Sequence, residues 1–484
     1  MRYIDLAIVG AYLVGITLFG ARFRRAQQSL KDYFLGGRTA PWWAISLSIV
    51  SAETSTLTII GTPALAFGGN MGFLQIVLGY LLARMVISVL LLPHYFRGEM
   101  FTAYELMRRR FGERLRRVTA CTFLVTRSLA EGVRVFAISI VISIILGTGE
   151  ILSIVVIVCL TLFYTFEGGM TAVIWTDVVQ MVIYVGGALF SLVVILGMIP
   201  GGWDHVVAVA GPASKFKIFD FDFAPNAEFF SRTYTFWAGI AGGCFLTTAT
   251  HGTDQLLVQR LLSARSEGQS KAALLASWFV IAAQFTLFLI IGVILYVFYS
   301  DAKLPPPQPA DRIYPQFVWE HLPAGAAGIV VAAILAAAMA NISAALNSLA
   351  STTVVDLYKP LLKRERDERH FLKFARWATI GWGLVLLVIG IMARKWGSVL
   401  EAGLAIASIP LGALLGVFLL GVLTKRTREY HAMAGMFAGL AVIAYVRFDT
   451  SIAWTWYVMI GSLTTFSFGY AVSLFSRQNV VTER

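Results

Sequence analysis

Long apolar runs alternate with short polar connections along almost the whole chain. A helix needs about 20 mostly apolar residues to cross a hydrocarbon core of roughly 30 Å. The pattern therefore predicts thirteen membrane-spanning helices. They cover residues 3–21, 42–67, 73–95, 118–146, 150–166, 171–199, 232–258, 271–299, 325–356, 372–393, 398–423, 430–447 and 452–475.

Two of these predicted helices carry signs of a broken backbone. Residues 46–69 read SLSIVSAETSTLTIIGTPALAFGG, with many hydroxyls and an interruption expected at Gly-Thr-Pro, and residues 238–255 read AGIAGGCFLTTATHGTDQ. Irregular backbone at membrane depth is tolerated only where protein or a water-filled cavity satisfies it. The two segments lie five helices apart, in corresponding and oppositely oriented places, which is typical of an inverted-repeat transporter with a midplane site. The alternative is that their small residues only allow close helix packing.

Composition supports the membrane assignment. The 484 residues are 58% hydrophobic and only 14% charged, against roughly 45–50% and 25% in soluble chains. This excludes an ordinary soluble enzyme, a disordered chain and a disulfide scaffold. We expect a multi-pass protein of the cell membrane, the inner membrane if the source is a Gram-negative bacterium. In a membrane protein, the net charge of +12 has to be interpreted loop by loop relative to the bilayer. It therefore does not predict a nucleic-acid partner.

Basic residues cluster in every second predicted loop. Representative members are Arg22, Lys31, Arg97, Arg108, Arg116, Arg260, Arg265, Lys359, Lys425 and Arg428. Because basic loops stay on the cytoplasmic side, we expect the N-terminus outside and the C-terminus inside.

Ionisable and amide side chains also fall within the predicted spans. They are Glu53, Arg127, Glu131, Arg134, Asp177, His251, Asp254 and Asn341. A charge at the bilayer centre costs about 2.5–3.5 kcal/mol on insertion scales, so such residues need partners, ions or a cavity. Arg127, Glu131 and Arg134 share one helix face. One interpretation is an internal ion pair of Glu131 with one arginine, and the other arginine is then available to a substrate carboxylate.

Several separated motifs resemble one known family, the sodium/solute symporters. They are DYFLGGR at 32–38, YELMRRRFG at 104–112, GGMTAVIWTDVVQ at 168–180, DQLLVQR at 254–260 and NSLASTTVVDLY at 347–358. The resemblance implies an all-α, leucine-transporter-type five-plus-five inverted repeat with about 13 transmembrane helices. It divides the chain into a leading helix (1–30), a first repeat (42–199), an inverted repeat (232–423) and two trailing helices (430–475). The similarity is strongest to the branch that carries iodide, vitamins and monocarboxylates.

The resemblance also implies a sodium site between the first broken helix and a later one. Its backbone ligands fall on Leu47, Val50 and Ala337, whereas the family's usual hydroxyl pair is replaced by Ala340 and Asn341. Asn341 keeps one amide oxygen on the same face as Ala337. A second ion or a proton is implied at Asp177 and Ser343, although Ala344 replaces another hydroxyl there; the alternative is a structural pairing of Asp177 with polar residues of the predicted span 325–356.

The implied substrate pocket draws on both broken helices and the helices beside them. Its candidate residues are Ser51, Glu53, Thr54, Gln75, Arg127, Arg134, His251 and Asp254. Ser51 and Thr54 could instead bond their own helix, and Asp254 could cap the break.

The function expected is sodium-coupled symport of a small organic solute by alternating access. The spare arginine favours an anion such as a monocarboxylate or sugar acid over a sugar. The alternatives are a proton-coupled or sodium-independent carrier of the same fold and a non-transporting membrane sensor. No motif of a hydrolase, P-loop or metalloprotease is placed for catalysis, so we do not expect an enzyme.

Overall fold

The computed structural model describes residues 3–23, 29–146, 149–223, 227–308, 310–362, 366–394 and 399–475. Within these ranges the regular structure is helical, without strands. The first helices are α1 Tyr3–Ala21, α2 Leu30–Leu35, α3 Trp42–Glu53, α4 Thr56–Gly68, α5 Leu74–Leu90, α6 Leu92–Tyr95, α7 Tyr104–Arg110, α8 Glu113–Leu146, α9 Glu150–Met198, α10 Gly202–Ala210 and α11 Ala227–Ser231. The remaining helices are α12 Gly243–Gly252, α13 Gln255–Leu262, α14 Glu267–Asp301, α15 Ile313–His321, α16 Ala326–Thr352, α17 Lys359–Leu361, α18 Glu368–Ala393, α19 Val399–Leu423, α20 Glu429–Asp449 and α21 Tyr457–Phe475.

Seven stretches of the described chain are long and apolar enough to cross a membrane. They are Tyr3–Ala21, Gly169–Met198, Glu267–Asp301, Ala326–Leu361, Glu368–Ala393, Glu429–Asp449 and Trp454–Phe475. The bent pair α3 and α4 adds an eighth if it forms one span, and three shorter apolar helices accompany them. The chain is therefore a multi-pass helical membrane protein, as the apolar pattern predicts.

The long helix α9 consists of two segments joined at Gly169. This residue has φ 54° and ψ −155°, a conformation that glycine adopts far more readily than any other residue. The sequence pattern predicts two spans here, 150–166 and 171–199, and the kink falls between them. The glycine of the signature motif thus separates two helices that differ in direction.

The first predicted break is real but lies elsewhere than expected. Helices α3 and α4 meet at an angle of 65°, and the chain leaves helical geometry at Thr54 and Ser55. Ser55 begins α4 through a reciprocal cap with Thr58, whose backbone N–H donates to the Ser55 hydroxyl at 3.3 Å. The expectation of a break at Gly-Thr-Pro is wrong, because Pro63 lies inside α4. A proline removes only one N–H donor from a helix. The side chains of Ser55 and Thr58 instead accept hydrogen bonds from backbone N–H groups at the start of α4, which favours a new helix over a continuation of α3.

The second predicted break occurs between α12 and α13. A π-helical turn, Ala238–Gly242, precedes α12, and α13 starts after Asp254, whose Oδ1 accepts from the Leu256 N–H at 2.9 Å. Asp254 is therefore an N-cap, as one interpretation of the sequence held.

Helix α16 forms the centre of the molecule. About 94% of its most apolar stretch is buried inside the protein, and the helix packs along α9, α8 and α3. Helix α1 also contacts α16 and α9. An apolar helix that faces protein rather than lipid on every side is well placed to line a central site.

Two arginines assigned to loops by the charge pattern are buried instead. Nη2 of Arg260 lies 2.8 Å from Asp177, and Nε of Arg116 lies 2.7 Å from Asp356. Neither guanidinium is available to a membrane surface, so neither counts among the loop charges from which the orientation is predicted. Their role is to neutralise buried carboxylates, which would otherwise be costly.

Candidate transport site

A cavity of about 220 Å³ lies against the junction of α3 and α4. Helices α8, α12 and α19 supply the facing wall. Five of the eight predicted substrate residues line it, namely Glu53, Arg127, Arg134, His251 and Asp254. The volume lies below the ~300–1,000 Å³ typical of drug-sized ligands, so the cavity suits a small solute.

Helix α8 contributes an alternating row of charges to this cavity. Arg127 lies 2.8 Å from Asp254 and 3.8 Å from Glu131, and Arg134 lies 2.9 Å from Glu131. Glu131 therefore contacts both arginines rather than one. Asp254 both caps α13 and accepts a hydrogen bond from Nη2 of Arg127, whose Nε is buried without a hydrogen bond to the described residues.

Arg134 is the more exposed of the two arginines that α8 places at the cavity. Its side chain is 24% exposed, against 11% for Arg127. Only Nη1 is engaged, by Glu131 and by Oδ1 of Asn341 at 3.4 Å. Its Nε and Nη2 make no hydrogen bond to any residue that the structure describes. Because Arg134 lines the cavity, these N–H groups are available to an anionic ligand.

A second charged cluster surrounds Glu53 at the C-terminal end of α3. Oε2 of Glu53 accepts from Nη2 of Arg84 at 2.6 Å and lies 3.2 Å from Nε2 of His251. Arg84 is fully buried and also donates to Ser277 at 3.1 Å. Sequence reasoning missed Arg84, although an arginine in the middle of the predicted span 73–95 was the available signal. It neutralises Glu53 and fixes that carboxylate at the cavity edge.

Backbone carbonyls released by the first break converge on Asn341 of α16. Its Nδ2 donates to the carbonyl oxygens of Thr54 at 2.5 Å and Ser51 at 3.4 Å, and lies 3.4 Å from that of Ala337. We call the carbonyl oxygens of Ser51, Thr54 and Ala337 the carbonyl cage. Carbonyl oxygens from an unwound helix are typical ligands of a coupling sodium ion. The donor set therefore fits Na⁺.

The cage differs in part from the predicted sodium ligands. Ala337 belongs to it, but the carbonyl of Val50 accepts from both N and Oγ1 of Thr54, at 2.9 and 2.8 Å. Leu47 makes no contact with Asn341 among the described hydrogen bonds. The chain leaves the helix four residues after Val50, which is why the free oxygens come from Ser51 and Thr54.

Asp177 and Ser343, the predicted second position, have separate partners. Oδ2 of Asp177 accepts from Ser48 at 2.5 Å and from Arg260 at 2.8 Å. Ser343 instead accepts from Thr165 at 3.0 Å. Among the described contacts, Asp177 therefore pairs with Ser48 of α3 and Arg260 of α13, whereas the structural alternative expected its partners among the polar residues of span 325–356.

Three predicted substrate residues do not line the cavity. Ser51 is buried without a hydrogen bond from its hydroxyl among described residues, and Thr54 bonds Val50 and Gln284. The Gln75 amide bonds the backbone of Gly72 and Tyr234. Their contribution is to the shape of the break and of the adjoining loop.

Taken together, the fold and the cavity define a helical membrane transporter with an interrupted helix at its site. The sodium:solute symporter family matches residues 33–439. The chain belongs to the sodium:solute symporter family, which confirms the resemblance of its motifs.

Relatives and solved structures agree with this membership. The human sodium/iodide cotransporter is 29% identical over 452 residues, covering 90% of this chain and 68% of that protein. The sodium/sialic acid symporter of Proteus mirabilis is 26% identical, covering 96% and 93%. A substrate-bound, outward-open structure of a Na⁺-coupled sialic acid symporter superposes with a TM-score of 0.88 at 26% identity over 98% of both chains. A nucleobase-cation-symport-1 family transporter shares the fold at TM-score 0.56 and 13% identity.

Proposed function

We propose that this chain is a sodium-coupled symporter of a small organic anion. The observation that supports this most strongly is that the carbonyl cage and the cavity lined by Arg134 lie at the same helix break. The cage provides oxygen ligands for Na⁺, and the arginine provides a fork of N–H donors for a carboxylate. Membership of the family and relatives named as sodium/sialic acid and sodium-coupled monocarboxylate transporters support this assignment.

The unused N–H donors of Arg134 are the reason to propose an anionic solute. Arg127 is held by two carboxylates and Arg84 by Glu53, whereas Arg134 shares Glu131 and keeps free donors. An anion that binds Arg134 gains a charge-assisted hydrogen bond without displacing an existing ion pair. A neutral sugar gains less from this guanidinium.

The proposed mechanism is alternating access around a fixed site near the midplane. The two interrupted segments, α3–α4 and α12–α13, would occupy equivalent places in repeats 42–199 and 232–423. Thirteen spans, with the N-terminus outside and the C-terminus inside, complete this proposal; residues 476–484 at the C-terminal end lie outside the described chain. One sodium charge moving through 100 mV is worth about 2.3 kcal/mol, roughly forty-fold in solute accumulation. The setting proposed is the cell membrane.

The test is uptake into proteoliposomes of purified protein. Radiolabelled pyruvate, sialic acid and iodide serve as probes, with an inward gradient of Na⁺ or of choline. We expect at least one probe to accumulate only in Na⁺, and Arg134→Gln to abolish that accumulation. Accumulation that is equal in choline would reject sodium coupling.

One observation favours a second candidate, proton coupling. His251 and Glu53 face each other at 3.2 Å on the cavity wall, and histidine is the side chain best suited to proton exchange near neutral pH. Uptake driven by an inward pH gradient in sodium-free medium, and lost in His251→Gln, would favour this function over the first.

A further inference from the structure

A single amide group connects the carbonyl cage to the charged wall of the cavity. Nδ2 of Asn341 occupies the cage, and Oδ1 of the same side chain accepts from Nη1 of Arg134 at 3.4 Å. Asn341 is only 1% exposed, so its two polar atoms depend on these protein partners. The cation position and the anion position therefore share one side chain.

An amide nitrogen and a sodium ion compete for the cage. The N–H groups of Nδ2 point partial positive charge at three carbonyl oxygens, and these are the oxygens that a small hard cation requires. Both cannot be there at once. A half-turn about the Cβ–Cγ bond exchanges Nδ2 and Oδ1 with little change in shape. It removes the competing donor and adds an amide oxygen as a further cation ligand.

The same half-turn changes what Arg134 meets. Before it, the guanidinium faces an acceptor, Oδ1; after it, the guanidinium faces the donor Nδ2. Arginine has no acceptor, so this contact becomes unfavourable. Arg134 keeps its bond to Glu131, and its side chain lines the cavity. Its guanidinium is then free to move toward an anion.

We propose that Asn341 is the positioning residue that couples cation binding to anion binding, through an amide rotation that admits Na⁺ to the cage and releases Arg134 to the solute. This inference rests on the proposed function of sodium-anion symport. It assigns a role to the residue by which the chain departs from the family's hydroxyl pair. Because coupling is reciprocal, an anion that draws Arg134 away also makes the rotation easier and raises the affinity for Na⁺.

Reciprocity allows a test with sodium alone. Removing the Arg134 guanidinium takes away the partner that holds Oδ1 out of the cage. We expect Arg134→Met to lower the half-saturating Na⁺ concentration three- to tenfold, measured by thermal stabilisation of purified protein with choline chloride replacing NaCl at constant ionic strength. Arg127→Met is the comparison for charge alone, since Arg127 lies on the same helix and shares Glu131 but makes no described contact with Asn341. The shift for Arg134→Met should exceed that for Arg127→Met at least threefold.

A double-mutant cycle separates the amide rotation from general electrostatics. Asn341→Ser leaves a hydroxyl ligand near the cage, but the serine side chain is too short to reach Arg134. Adding Arg134→Met to Asn341→Ser should therefore change the half-saturating Na⁺ concentration less than twofold. Additive effects, or equal shifts from Arg134→Met and Arg127→Met, would overturn the coupling role while leaving sodium symport intact. If the wild-type protein is not stabilised by Na⁺ over choline, the proposed function fails first. Arg134→Leu, which also removes the donor, substitutes if the methionine variant does not fold.

Discussion

Removing one partner from the buried ion pair of Asp177 with Arg260 should be among the most destabilising single substitutions in this chain. Both side chains are buried, at 0% and 1% exposure, and lie 2.8 Å apart. With an effective dielectric constant of 20, two unit charges at that separation attract by about 6 kcal/mol. Arg260 also donates to Oγ of Ser48 at 2.9 Å and to the carbonyl of Leu256 at 2.7 Å. Asp177→Asn leaves that guanidinium buried and uncompensated, and we expect a loss of about 3–5 kcal/mol.

The assay is a double-mutant cycle on the free energy of unfolding, measured by SDS titration of the purified protein. Asp177→Asn and Arg260→Gln should each be strongly destabilising, and the double variant should cost at least ~2 kcal/mol less than their sum. Glu99→Gln is the control, because its ion pair with Lys31 is exposed, at 70% and 43%, and we expect no measurable change.

The same experiment distinguishes a protein partner from a bound ion at Asp177. If Arg260 is the partner, the cost of Asp177→Asn is the same in sodium and in choline chloride. A variant that is neutral in choline but strongly destabilised in sodium would refute the pairing and restore the second-ion interpretation.

Three further predictions test the breaks and the cavity. Gly169→Ala should lower the free energy of unfolding by about 1–3 kcal/mol because of its backbone conformation, whereas Gly197→Ala, with open space around it, should stabilise slightly; equal effects would contradict the kink. Ser55→Ala should cost about 1 kcal/mol in the same titration through loss of the α4 cap, and Ser55→Thr, which keeps a capping hydroxyl, should cost less; no loss in Ser55→Ala would mean that the cap does not hold the break. Arg134→Lys should raise the KM for an anionic probe about tenfold, since a single ammonium cannot replace a guanidinium fork; an unchanged KM would remove Arg134 from the binding site.

Much of the fold could be predicted because a membrane-spanning helix requires a long run of apolar residues, which is visible in the sequence. Both interrupted segments were identified from hydroxyl and glycine content, and the kink at Gly169 falls between two predicted spans. The exact break at Ser55 was missed because Gly-Thr-Pro is the more familiar signal. The two candidate positions for the break differ in local hydrogen bonding: the reciprocal cap of Ser55 with Thr58 places the break at Ser55 rather than at Gly-Thr-Pro.

The partners of the site residues were harder to predict than their presence. Arg260 lies next to a basic loop in sequence, yet α13 turns it inward onto Asp177. Arg84 bonds Glu53 across 31 residues, and Asn341 reaches Thr54 across 287. Sequence periodicity places a residue on a helix face but does not say which helix that face meets.

Simultaneous flux of solute and sodium tests the central claim most directly. Proteoliposomes are loaded without sodium and given ²²Na⁺ together with a labelled anion that the uptake screen has identified. If the protein couples the two fluxes, each anion that enters is accompanied by sodium in a fixed ratio, and omitting either one stops the influx of the other. Anion accumulation without ²²Na⁺ entry would contradict it.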